Sequence, residues 1–127
     1  MKGRFKTDIA HAKGLGSAHS GSHHWLAQRF TSVLLVVLIT WMLYIISCTA
    51  GLRMSEVIEV VKKPYNVLAI SLFAITAFYH ATLGMQIIIE DYTQHRMARL
   101  TMLYGVKILS IVTAAALVVA MFYLMTL

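Results

Sequence analysis

Cysteine, proline and acidic residues are all scarce in this chain of 127 residues. The one cysteine, Cys48, excludes an internal disulfide and any cysteine-built metal or iron–sulfur centre. The one proline, Pro64, is placed to open a helix, where its missing N–H costs nothing. Asp and Glu number five, and charged residues make up 13% of the chain against ~25% in a soluble domain. A separate soluble enzyme does not fit that composition. There is no glycine-rich dinucleotide fingerprint, so the chain holds no nucleotide cofactor by that route. Nor is there an internal repeat, or a Gly-xxx-Gly pair inside an apolar run. Helix packing must therefore use other contacts or a partner subunit.

What the chain has is apolar length. Hydrophobic residues make up 59% of it, and its mean hydropathy is +0.74. The charges are segregated, leaving three long runs, roughly Phe30–Ala50, Val67–Ile89 and Met102–Leu127. Each is close to the ~20 residues that cross a bilayer core. The expected fold is an all-α integral membrane protein of one domain, 1–127. Three transmembrane helices span about 25–50, 65–90 and 100–126, after a polar arm over 1–23. Trp25 suits an interfacial anchor, and Gly51 a helix end. Ser55–Lys63 reads as a short amphipathic piece on the outer surface. Lys107 lies near one end of its span and can snorkel. No secretory signal peptide is expected, because the first apolar run starts too late and is too long. Cys48 sits at the far end of a full span, the wrong place for a lipoprotein cleavage box, and is expected to pack between helices.

The net charge of +6 is a statement about topology, not nucleic acid. Lys2, Arg4, Lys6, Lys13 and Arg29 precede or open the first span, and Arg96, Arg99 and Lys107 surround the second connection. The first connection offsets Arg53, Lys62 and Lys63 with Glu56 and Glu59. The positive-inside rule puts the N-terminus in the cytoplasm and the C-terminus outside.

Chemistry concentrates in His80 to Tyr92. An ionisable residue inside a span is costly and marks a functional candidate. At ~100° per residue His80, Gly84, Ile87 and Asp91 share a face. A haem beside His80 needs room, which Gly84 supplies, and haem iron takes an axial histidine. The alternative is a neutral His80 bonded to Thr76 one turn back. His80 is the only histidine within a span, so a bis-histidine haem needs a second ligand from elsewhere. Asp91 and Tyr92 lie ~16–18 Å further along the axis, near the cytoplasmic interface with Arg29 and Trp25. Tyr and Arg can donate to quinone carbonyls and a carboxylate can relay protons; the same residues also make an ordinary interfacial belt. His23, His24 and Arg29 can reach haem propionates, or belong to a solvated arm.

Two blocks resemble the small hydrophobic anchor subunit of succinate dehydrogenase, respiratory complex II. One runs from Gly14-Leu15-Gly16-Ser17-Ala18 through His24-Trp25 to Gln28-Arg29-Phe30-Thr31 and is similar to the alphaproteobacterial branch. The other is His80-x-x-Leu83-Gly84-x-Gln86-x-Ile88-Ile89-Glu90-Asp91-Tyr92. The resemblance covers nearly the whole chain. It implies that His80 is one axial ligand of haem b, with the other from a second anchor (cytochrome b) subunit. It implies that Tyr92 bonds ubiquinone with Asp91 beside it, and that Arg29 lies near haem and quinone. His24, rather than His23, is favoured as the family's histidine before that arginine. It further implies an iron–sulfur subunit and a flavoprotein as partners, in a bacterial inner membrane, the chain being non-catalytic alone. Two rivals remain: a b-type cytochrome subunit of another quinone-linked dehydrogenase, and a non-redox assembly or accessory protein.

Overall fold

The computed structural model describes residues 19–127. Residues 1–18 of the expected polar arm lie outside the described residues. Four helices follow in order: α1 (His19–Thr49), α2 (Met54–Val61), α3 (Pro64–Tyr92) and α4 (Arg96–Thr126). Three of them, α1, α3 and α4, are long and apolar enough to cross a membrane. At 29 to 31 residues each, they overreach the ~30 Å hydrocarbon core, so their ends enter the polar interfaces.

The first helix begins earlier than expected. Residues 19–23, read as arm, are its opening turn. Once a long helix exists, each added residue gains a hydrogen bond, and only Gly21 here costs as much as ~1 kcal/mol. At the other end Gly51 adopts φ 83°, the left-handed conformation that closes a helix without a Cβ penalty. Leu52 N–H then bonds the Thr49 carbonyl at 3.2 Å.

The amphipathic piece is α2, none of whose residues is fully buried. The Glu56 carboxylate accepts from the Arg53 backbone N–H at 2.9 Å and fixes the helix start. Pro64 opens α3 as expected. At its other end, Arg99 Nε donates to the Thr93 carbonyl at 3.2 Å, so a side chain of α4 satisfies the turn leaving α3.

The helices form an open layer. α3 packs on α1 along one side and on α4 along the other, and α1 and α4 do not touch. Among the described residues, side-chain hydrogen bonds supply what Gly-xxx-Gly contacts would have. Thr82 of α3 and Ser110 of α4 bond at 2.8 Å. Such a bond inside a bilayer is worth about 0.6–1.7 kcal/mol. At the end of the layer where α1 stops and α3 starts, Asn66 is only 3% exposed. Its carbonyl accepts from Trp41 Nε1 of α1 at 3.2 Å, and its amide donates to the Val60 carbonyl of α2 at 2.8 Å. One side chain thus ties three helices. Asn66→Ala should lower the thermal stability of the purified protein by about 1–3 kcal/mol, because a Trp N–H and a carbonyl lose their partner. An unchanged melting curve would show that water replaces both bonds.

Cys48 departs from expectation: it is exposed, not packed between helices. It borders an open cleft with Trp41, Tyr44 and Ile45 of α1 and Tyr65 and Asn66 of α3, so it faces the gap between the two helices and not a closed contact.

Candidate functional site

His80 sits on the α1-facing side of α3. Its Nδ1 lies 2.8 Å from the hydroxyl of Thr31, not against Thr76 of its own helix. Thr31 is 5% exposed, and its hydroxyl also reaches the Ala27 carbonyl at 2.8 Å and that of Gln28 at 3.1 Å. Among the described residues Nε2 of His80 has no hydrogen-bond partner. The imidazole is therefore gripped by one nitrogen and free at the other.

The neighbouring turns of α1 are polar too. His24, Gln28 and Thr31 follow at i, i+4 and i+7, one helical face directed at α3. A Cβ built on Gly84 would meet Gln28 Nε2 at 3.8 Å, ordinary contact. Nothing in this chain's own packing demands a glycine there. Two atoms of the seam, His24 Nε2 and Gln28 Oε1, are buried without a partner among the described residues. Buried polar atoms are nearly always satisfied, so two orphans one turn apart call for a polar group from beyond the described residues.

The other candidates lie apart. Arg29 points about 140° around α1 from His24 and stacks its guanidinium on Trp25, 5.0 Å from the ring centroid. No bond joins it to His24 or His80 among the described residues. Asp91 is exposed, and Tyr92 is 85% exposed and about 100° from Asp91 around α3. Neither makes a side-chain hydrogen bond among the described residues. Gln86 donates to Glu90 at 2.8 Å beside them. So the structure joins His80 to Thr31 and sets Gly84 against Gln28, with His24 on the same face of α1, and leaves Arg29, Asp91 and Tyr92 on open faces at the same end of the layer.

Thr31 and Gln28 had no assigned role in the sequence. The signal was present: a polar residue every three to four positions in an otherwise apolar span marks a helix face with a partner.

No group of three His, Cys, Asp or Glu able to hold a metal occurs among the described residues. An axial position of a haem asks only a single histidine nitrogen of the chain that supplies it. The site fits a haem on that basis, with a free imidazole nitrogen in a span and two orphaned polar atoms on the adjoining helix.

Three helices long and apolar enough to cross a bilayer, with His80 inside the middle one of the layer, define an integral membrane protein. The family model for the succinate dehydrogenase/fumarate reductase transmembrane subunit matches residues 3–120, and the chain belongs to that family. It is 43% identical over 119 residues to the succinate dehydrogenase hydrophobic membrane anchor subunit of Rickettsia bellii, covering 94% of this chain and 95% of that one. The corresponding subunit of Rickettsia conorii is 41% identical over 94% of this chain and 95% of its own length. That of Paracoccus denitrificans is 31% identical, covering 89% and 88%. No solved structure matches the chain.

Proposed function

We propose that this chain anchors a bacterial succinate:ubiquinone oxidoreductase, shares a b-type haem with a second anchor subunit, and forms part of the ubiquinone-reduction site. The observation that carries the reading is His80. It is fixed by Thr31 through Nδ1 and free at Nε2, within a membrane span of a succinate dehydrogenase family chain. His80 would be one axial ligand, and the second would come from the cytochrome b subunit, since the other histidines of the long helices, His19, His23 and His24, lie in the opening turns of α1. His24, with its buried Nε2, would donate to a propionate. Arg29 would serve a second propionate or the quinone region from its exposed position on α1. When bound, haem supplies a one-electron store in the membrane.

The quinone chemistry rests on the cytoplasmic end of α3. Tyr92 O–H would donate to a ubiquinone carbonyl, and the Asp91 carboxylate would pass protons to the reduced oxygen. Neither side chain makes a hydrogen bond among the described residues, so both are available to a site completed by neighbours. Succinate oxidation belongs to a flavoprotein partner and electron delivery to an iron–sulfur partner; this chain has the residues for neither. The inner membrane is the proposed location, with the N-terminus cytoplasmic.

The deciding experiment is a reduced-minus-oxidised visible spectrum of the intact purified complex together with its subunit composition. A low-spin b signal with flavoprotein and iron–sulfur subunits is expected. A low-spin signal with different dehydrogenase subunits would favour a cytochrome of another quinone-linked enzyme, and no haem at all would leave only the anchoring role. For topology, a reporter fused after Leu127 should be active only outside the cytoplasm; cytoplasmic activity would invert the assignment.

A further inference from the structure

We infer that Thr31 is a positioning residue for His80. It selects the tautomer in which Nδ1 carries the proton, and so presents the Nε2 lone pair as the coordinating atom. The inference rests on the haem reading above and names a role for a residue of this chain toward that group.

The argument is a count of protons. A threonine hydroxyl has one hydrogen and two acceptor positions, and a neutral imidazole has one N–H and one lone pair. Three acceptors or donors converge on Thr31 Oγ1: the Ala27 carbonyl at 2.8 Å, the Gln28 carbonyl at 3.1 Å, and His80 Nδ1 at 2.8 Å. Carbonyls only accept, so they compete with Nδ1 for the single hydroxyl hydrogen unless Nδ1 is itself the donor. If Thr31 donates to Nδ1, the carbonyl contacts go unused. The imidazole proton then sits on Nε2, for which no acceptor exists among the described residues. If Nδ1–H donates to Oγ1, the hydroxyl hydrogen goes to Ala27 and both bonds are made. The second arrangement satisfies more groups at a site where Thr31 is 5% exposed, and unmade bonds are expensive there. It also leaves Nε2 with its lone pair bare, the state a metal requires.

The relay anchors the ring to the backbone of α1. Ala27 belongs to the α1 helix, so the orientation of His80 is set by a neighbouring helix and not by its own. A hydrogen-bonded Nδ1–H makes the imidazole a stronger base and holds its plane. A ligand so supported favours the ferric over the ferrous state.

Thr31→Val keeps the shape and removes the acceptor. In the assembled complex, the haem midpoint potential should move upward, the low-spin electron paramagnetic resonance signal should broaden or shift as the ring plane loosens, and haem retention should fall about tenfold. Thr31→Ser, which keeps the hydroxyl, should restore all three. If Thr31→Val prevents assembly, Thr31→Cys offers the same comparison, because sulfur is a weak acceptor, and the upward potential shift should again appear. A wild-type potential and signal in Thr31→Val, or in Thr31→Cys where valine does not assemble, overturns the positioning role. If His80→Ala abolishes the haem signal in that same experiment, the haem reading survives the loss. If His80→Ala leaves the signal intact, the haem reading itself fails and this inference with it.

Discussion

Replacing His80 with alanine should abolish the low-spin haem spectrum of the assembled complex and cut its haem content by more than about tenfold, beyond the loss typical of a supporting residue. The other histidines of the long helices lie in the opening turns of α1, and even His24 is about two helical turns from the Thr31 that holds His80. The fold should survive the change. Within the chain it removes one hydrogen bond, to Thr31, worth about 1 kcal/mol, while the Thr31 hydroxyl still has the Ala27 carbonyl. The partner subunits should therefore still copurify, and that is the control. An unchanged low-spin signal in the variant complex rules out ligation by His80. Retained succinate oxidation does not decide the matter, since the proposed function assigns that chemistry to another subunit.

Tyr92→Phe should slow quinone reduction about tenfold or more, equivalent to ~1.4 kcal/mol of lost transition-state stabilisation. The structure makes this an unusually clean substitution. Tyr92 is 85% exposed and its hydroxyl bonds nothing among the described residues, so phenylalanine costs the subunit no internal contact. Any effect must come through a group outside the chain. Succinate oxidation with an artificial acceptor at the flavin should be nearly unaffected. If both activities fall together, assembly has been lost; if neither changes, Tyr92 is a belt residue.

The three spans were legible because the bilayer imposes a length and forbids charge, and both constraints are written in composition. Gly51 and Pro64 were legible because each acts through its own backbone. The partner of His80 was not. A sequence suggests the residue one turn back on the same helix, hence Thr76; the observed partner, Thr31, is 49 positions away. Pairing across helices depends on their relative rotation, and side-chain shape along the whole interface decides that. The same limit hid Gln28 opposite Gly84. Glycine there reads as space, and only the fold shows what faces the space. Arg29 and His24 were both expected near haem propionates, but five residues is 140° of helix, so they leave α1 in different directions.

The order of the helices in the layer also bears on how the chain is made. Each long helix touches the one before it in sequence, and the two outer ones have no contact with each other. Were the helices inserted in chain order, α1 would need only α3 to complete the Trp41–Asn66 and Thr31–His80 contacts. α4 would then dock on a pair already formed. No step requires an early segment to be held open for a late one. A chain built this way has short-range pairing and a smooth route to its native state, with each helix stable in lipid before it meets its neighbour.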